Sequence, residues 1–295
     1  MVSAATDPIQ NLQVIAEDGV TYQMFGGAPA RFVSLDGTGV PPVRRILQKI
    51  PLEHGVVDKG FRIEHRPMIL TLFLEAETTA QGDAYREQLV NIFSGTDDPL
   101  SLLITKQGGA QRKIDCYLDG AIDYSMSNRL GASCLATIPL VALDPAFYDP
   151  TQRSVGGSLV SLPIQAVIYH AGCTADDWPI IDITGPITSA SIQHLALNAI
   201  ERVDVNGAIP AGETWRFDFR VGHKTVRRTS DDANRLSYIT EATRSSFDTL
   251  RILSTKAVMA FNPLATAYQQ LFFDGSGNTA DTFVAIYWYR RYLSL

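Results

Sequence analysis

Residues 131–150, GASCLATIPLVALDPAFYDP, decide how the rest of the chain is read. The run stays small and apolar until Asp144-Pro145 and Asp149-Pro150 stop it. Leu135, Thr137, Pro139 and Val141 fall on one side of a strand, and Ala136, Ile138, Leu140 and Ala142 on the other. Both sides are largely apolar, which predicts a strand buried on both faces. Pro139 has no N–H for a ladder, so it marks a bulge or an edge. Each proline also keeps the residue before it out of the helical region. The stretch reads as the last core strand of a first domain followed by its exit, dividing the chain into domains 1–150 and 151–295.

Moving outward toward the N-terminus, Phe61 to Glu75 (FRIEHRPMILTLFLE) alternates in the same way. Leu70, Leu72 and Leu74 point one way, and Ile69, Thr71 and Phe73 the other; Pro67 signals an edge or a bulge. Then the period changes. Tyr85, Leu89, Ile92 and Phe93 recur at helical spacing and predict a helix over about 79–93. Thr78 or Thr79 caps its start and Gly95 stops it. Gly82 weakens the first turn by about 1 kcal/mol relative to alanine.

Short strands fill the remainder of this half. Leu12 to Ile15 and Val20 to Phe25 flank the hairpin signal Asp18-Gly19, and Gly26-Gly27 closes the pair. Arg31 to Leu35, Leu100 to Thr105, Lys113 to Leu118 and Ala121 to Met126 follow. Thr38 to Arg45, with Pro41-Pro42, reads as a loop: a solvated connection, or an arm touching a neighbouring subunit. The expected domain is an antiparallel β structure with one α-helix.

Past Thr151 no comparable helix occurs. Strands are expected at Leu159 to Leu162, Ala166 to His170, Pro179 to Ile183, Ser191 to Leu195, Ile200 to Val205, Thr214 to Arg220 and Lys224 to Arg228. More are expected at Leu250 to Leu253, Ala257 to Phe261, Gln270 to Asp274 and Phe283 to Tyr289; Asp231 to Arg244 reads as a loop. Strands at this spacing without helices predict a sandwich of two sheets. The tail FVAIYWYRRYL puts aromatics on both sides, as a central strand does, and is expected to close the sandwich.

The chain has 295 residues, 45% of them hydrophobic and 19% charged, with a formal net charge of −6. That balance excludes disorder and disfavours nucleic acid as a specific partner, since counterion release needs clustered basic residues. The N-terminus, MVSAATDPIQ, lacks the pattern of a signal peptide, and no run reaches the roughly 18 apolar residues of a membrane span. A soluble protein made in a cytoplasm, with no membrane insertion, is expected. Cys116, Cys134 and Cys173 form no CxxC and read as buried thiols; a Cys116–Cys134 bridge is conceivable but not predicted.

Catalytic signatures are missing from the sequence: no GxSxG, HExxH, P-loop or EF-hand loop occurs. Gly275 to Ala280 (GSGNTA) matches GxGxxA in letters, but a strand follows where a dinucleotide site needs a helix, so it is a turn. The histidines are scattered, with His54–Asp58 and His170–Cys173 the nearest candidate pairs, so no metal or cofactor is expected. Trp178, Trp215 and His223 are the candidate residues for a sugar platform, against the plainer reading of the tryptophans as core.

The order of features resembles the distal tail proteins of long-tailed bacteriophages. In the first domain the resemblance rests on Ile50-Pro51-Leu52-Glu53-His54-Gly55, on YREQLVNIFSG followed by DDPLSLLI, and on ALDPAFYDP. In the second it rests on WPIIDITGPITSASI, IERVDVNGAIPAGETWRFDFRVGHKTV and IYWYRRYL. It covers nearly the whole chain through order and spacing, not through any catalytic motif. The resemblance implies a structural virion component at the tail tip, not an enzyme. Its first domain forms a ring, usually hexameric, at the end of the tail tube; its second is a galectin-like β-sandwich outside the ring. The implied partners are other copies of itself, the tail tube protein, the tail-tip hub and receptor-binding proteins. In galectins a His, Asn, Arg and Trp cluster holds sugar. Arg220, His223 and Arg227 lie near Trp215, but the Asn and the spacing are missing.

Two rival readings remain open on the sequence alone. One is a carbohydrate-binding adhesin using the sandwich. The other is a hydrolase with a cleft between the domains.

Overall fold

The computed structural model describes residues 9–24, 30–49, 56–94, 98–126, 132–160, 163–170, 172–194, 201–220, 223–240, 250–254 and 268–295. The glycine pair Gly26-Gly27, the helix stop Gly95, the segment Ile50 to Gly55 with His54, and the strand expected at Ala257 to Phe261 lie outside them. The protein is mainly β and divides into two compact units, Met1–Pro150 with Tyr292–Leu295, and Thr151–Arg291. The sequence reading left the last residues in the second unit; they pack in the first.

In the first unit the strands are β1 (Ile9–Ile15), β2 (Thr21–Gln23), β3 (Ala30–Asp36), β4 (Val43–Lys49), β5 (Val56–Ile63), β6 (Arg66–Leu74), β7 (Leu100–Lys106), β8 (Gln111–Leu118), β9 (Asp123–Met126), β10 (Cys134–Ala142) and β11 (Phe147–Tyr148). The main sheet runs β2-β1-β7-β8-β10-β6-β3, with β9 on β10 and β11 beside β8. β6 and β10 pair antiparallel along their whole length, from Cys134 opposite Leu74 to Ala142 opposite Arg66. Strict alternation decides which side is the core: Cys134, Ala136, Ile138, Leu140 and Ala142 are buried with Met68, Leu70, Leu72 and Leu74.

The expectation that β10 is buried on both faces is corrected. Leu135 and Ile69 stay exposed and Thr137, Pro139 and Val141 are half-buried, because α1 and the core cover the other side of the sheet. Pro139 sits inside the sheet without a bulge on β6. On its other side β10 pairs with β9 as far as Thr137 and with β8 from Leu140, so Pro139 falls in the seam between them. The Pro139 carbonyl accepts the Asp119 N–H at 2.9 Å there, and the missing N–H leaves no ladder bond unmade.

Helix α1 spans Thr79–Phe93. The Thr78 hydroxyl accepts the Gln81 N–H at 3.2 Å, and the Gln81 side chain accepts the Glu77 N–H at 2.9 Å. Leu89, Ile92 and Phe93 are buried against the sheet. Gly82 has a packing reason: a Cβ there would lie 2.5 Å from the Ala132 carbonyl oxygen. Gly82→Ala is therefore expected to destabilise the unit by about 1–3 kcal/mol, despite the better helix propensity of alanine. A melting curve no lower than wild type would show that the helix can move aside.

Arg66 is the largest fully buried side chain of this unit, 1% exposed. Its guanidinium donates to four backbone carbonyls: Pro145 at 2.8 Å, Gly37 at 2.6 Å, Gly39 at 2.5 Å and Leu293 at 2.8 Å. It also lies 4.6 Å from the centre of the Phe147 ring. One side chain thus ties the end of β3, the exit after β10 and the returning C-terminal segment. Arg112 stacks over Tyr292 at 3.6 Å, and the Leu295 N–H donates to Thr38 at 3.1 Å, fixing the same segment.

The second unit is a sandwich of two five-stranded antiparallel sheets. One runs β12 (Arg153–Ser158), β21 (Phe283–Trp288), β14 (Ile180–Thr184), β17 (Thr214–Asp218), β18 (Thr225–Arg228). The other runs β13 (Ile164–Tyr169), β20 (Tyr268–Ser276), β15 (Ser189–His194), β16 (Glu201–Val205), β19 (Ile239–Thr240). Ile181, Ile183, Phe217, Val226, Val284 and Ile286 share one core with Ile168, Ile192, Val203, Val205, Leu271 and Phe273. β12 stands where a strand was expected only later, at Leu159 to Leu162. Gly156 mutes the local strand signal, yet a Cβ on it would meet the Phe283 ring and the Val284 carbonyl, both at 2.9 Å. Within the polar stretch read as a loop, Leu236–Tyr238 forms a 3-10 turn leading into β19. Cys116, Cys134 and Cys173 are all buried.

Candidate functional site

The outward face of β14, β17 and β18 carries a dense set of charged side chains. Alternation places it: Trp215, Phe217 and Val226 turn inward, so Arg216, Asp218, Thr225 and Arg227 turn outward. The register puts Asp182, Arg216 and Arg227 in one cross-strand row, and Ile180, Asp218 and Thr225 in the next. Arg216, Asp218, Thr225 and Arg227, together with Arg220, His223, Arg228, Thr229 and Asp232, line an open concavity of about 560 Å³.

Each of its arginines is held by a carboxylate. Arg216 grips Asp182 through two bonds of 2.8 Å. Arg220 donates to Asp218 at 2.6 and 3.0 Å. Arg227 pairs with Asp232 and Arg228 with Asp231, the latter at 2.7 Å through Nε. Burial pushes the Asp218 carboxyl upward, but the Arg220 guanidinium and backbone N–H outweigh it and hold it below its ordinary value. The Asp182 carboxylate in turn raises Arg216, and the Asp218 carboxylate raises Arg220. The result is a largely self-neutralised surface with spare guanidinium N–H donors. It can hydrogen-bond a polar partner; it offers no free nucleophile poised beside a base.

Of the residues suggested for a sugar platform, His223 lines the concavity, and Trp178 and Trp215 do not. His223 is exposed. Trp215 is 2% exposed and faces the core, its indole N–H donating to Glu213 at 2.5 Å and its ring 5.3 Å from Tyr238. Trp178 is half-buried, with the Arg291 guanidinium 5.3 Å from its ring. A ring that faces the core cannot stack on a sugar, and the phase of Trp215 with Phe217 is the signal that would have placed it there. Among the described residues no group of three or more His, Cys, Asp or Glu is arranged to hold a metal ion, and no helix is long and apolar enough to cross a membrane.

Fold and surface together define a two-unit, mainly-β protein: a helix-backed antiparallel sheet and a separate β-sandwich. Solved structures share this architecture over nearly the full chain. The crystal structure of the SPP1 Dit (gp 19.1) protein, a paradigm of hub adsorption apparatus in Gram-positive infecting phages, matches with a TM-score of 0.65 at 11% identity. The match covers 94% of this chain and 98% of that one. A chain of the phage P2 baseplate, in its activated conformation with Ca, matches with a TM-score of 0.54 at 10% identity, covering 97% of this chain and 99% of that one. The Sr form of the same baseplate gives 0.53 with the same coverage. No family model and no curated protein matches the sequence. At such identities the likeness is one of fold, and it is to the kind of protein that the order of sequence features resembles.

Proposed function

We propose that this chain is a structural component of a long-tailed phage tail tip: a distal tail protein whose copies form a ring joining the tail tube to the tip hub and host-recognition apparatus. One observation supports it above others. The structural likeness spans both units and 98–99% of each neighbour, so the whole two-unit plan is shared and not a common sandwich alone. The role is non-catalytic in this reading, since an adaptor works through surfaces, and the charges of the concavity are spent on one another. The net charge of −6 suits a channel through which DNA slides without sticking.

Gold-labelled antibody against the chain should decorate the tail tip of the particles that carry it. Label confined to heads or tail shafts, or protein recovered only outside particles, would overturn the reading. The arginine-lined concavity is what supports the adhesin alternative. Saturable binding on a glycan array, lost in Arg216→Ala, would favour that alternative; the tail-tip reading expects no such signal.

A further inference from the structure

β15 is the middle strand of its sheet, with β20 on one side and β16 on the other. Ala190 and Ile192 enter the core of the sandwich, so alternation turns Ser191 to the outward face. Register sets Asp274 of β20 directly opposite Ser191 on one side, and Asp204 of β16 directly opposite on the other. Both aspartates turn outward as well, because Phe273, Val203 and Val205 beside them belong to the core. Two carboxylates therefore flank one hydroxyl in a single cross-strand row.

The hydroxyl is the unusual member. Ser191 is only 5% exposed although it faces outward, and its Oγ is buried with no hydrogen-bond partner among the described residues. A buried polar group left unpaired costs about 1–3 kcal/mol. The aspartates each have one oxygen engaged and one open. Asp204 Oδ1 accepts the Arg202 Nε–H at 2.5 Å, and Asp274 Oδ1 accepts the Gly275 N–H at 2.8 Å. Neither Oδ2 has a donor among the described residues. One row along the same face, the hydroxyls of Ser189 and Ser276 bond each other at 2.9 Å. The open atoms of the row are thus oxygens, two of them anionic, which is the donor set of a hard divalent cation.

We propose that Asp204, Ser191 and Asp274 bind a divalent cation, calcium in preference to magnesium. Opposite Cβ atoms on neighbouring strands are about 4.5–5.5 Å apart, which puts the two aspartate Cβ atoms roughly 10 Å apart across Ser191. Carboxylates turned toward each other narrow that gap to about two calcium–oxygen distances of 2.3–2.6 Å, with Ser191 Oγ as the floor. Magnesium, held at about 2.0–2.1 Å in a strict octahedron, fits so wide a gap less well. The side away from the sheet is open to water, which completes the coordination. Arg202 stays on the other oxygen of Asp204 and offsets part of the charge. Two carboxylates and a hydroxyl make a weaker site than a cage of three or more acidic ligands, so its affinity belongs at the weak end for calcium, about 10⁻⁴–10⁻³ M. The ion joins side chains of three adjacent strands and so braces this sheet. The site goes beyond the tail-tip reading and does not depend on it.

Calorimetric titration of the full chain, stripped with EDTA, tests it with calcium chloride as the probe. Wild type should bind calcium with a Kd of about 10⁻⁴–10⁻³ M, and magnesium at least about tenfold more weakly. Asp204→Asn with Asp274→Asn should weaken calcium binding by at least about tenfold. Ser191→Ala separates a ligand from a structural group. Without calcium its melting temperature should match or exceed that of wild type, because the substitution removes an unpaired buried hydroxyl. The rise in melting temperature that calcium gives wild type should shrink in the same variant. No binding by wild type up to about 10 mM calcium, undiminished binding in the double aspartate variant, or magnesium bound as tightly as calcium would overturn the proposal. So would a calcium-free Ser191→Ala that melts clearly below wild type, since Oγ would then already be paired within the fold.

Discussion

Replacing Arg66 with alanine is expected to lower the stability of the first unit by about 4 kcal/mol. Calorimetry should show this as a fall of roughly 10–15 °C in that unit's transition. The guanidinium is buried without a carboxylate; burial alone pulls its pKa down to about 10, so it is still charged at neutral pH. What sustains the charge is the ring of carbonyls from Pro145, Gly37, Gly39 and Leu293. Alanine leaves these acceptors dry and opens a cavity beside Phe147. Lysine keeps the charge but not the planar fork, so it should recover less than half of the loss. A melting temperature within 2–3 °C of wild type, a shift that 1 kcal/mol suffices to produce in a unit of this size, would mean that water or another donor replaces the arginine.

The second large effect belongs to His170. The imidazole is fully buried, and burial pushes its pKa down to about 4, against the opposing pull of a hydrogen bond with the Ala175 backbone and the charge of Asp176. Arg290 and Arg291 act in the same direction as burial. A base whose folded pKa lies below its unfolded value of about 6.5 binds more protons unfolded than folded. Its share of stability is complete above pH 6.5 and is lost as pH falls toward 4, amounting to about 3 kcal/mol. His194, also lowered by burial, adds in the same sense. Asp218 and Asp231, held below their ordinary values, lose their contribution only as pH falls further, below the unfolded carboxylate range. The second unit should therefore begin to melt earlier between pH 6.5 and 4, and His170→Gln should flatten that slope. An identical slope in the variant would assign the acid sensitivity elsewhere.

Alternation carried most of what the sequence could disclose. Leu70, Leu72 and Leu74 against Ala136, Ile138 and Leu140 place the centre of the first sheet, and Tyr85, Leu89, Ile92 and Phe93 place the helix. The same rule holds information that apolar counting passes over. Arg66 is in phase with Met68 and Leu70, and His170 with Ile168, so a polar residue on an inward position marks both buried groups. β4 begins inside the stretch read as a loop, Thr38 to Arg45, because its side chains are exposed on both faces, which removes the contrast that alternation depends on. β12 was hidden by Gly156 and Gly157, of which Gly156 serves close approach to a neighbouring strand and not strand propensity. Trp215 and His223 show a related limit: eight residues apart in sequence, one turns into the core and the other to the surface.

The clasp on Leu293 has a consequence during synthesis. Arg66 waits for an acceptor that lies 227 positions further along the chain. While the ribosome is still making Thr151–Arg291, the amino-terminal unit lacks Tyr292–Leu295 and remains unfinished. A copy cut short of Leu293 would leave the Arg66 fork one acceptor short.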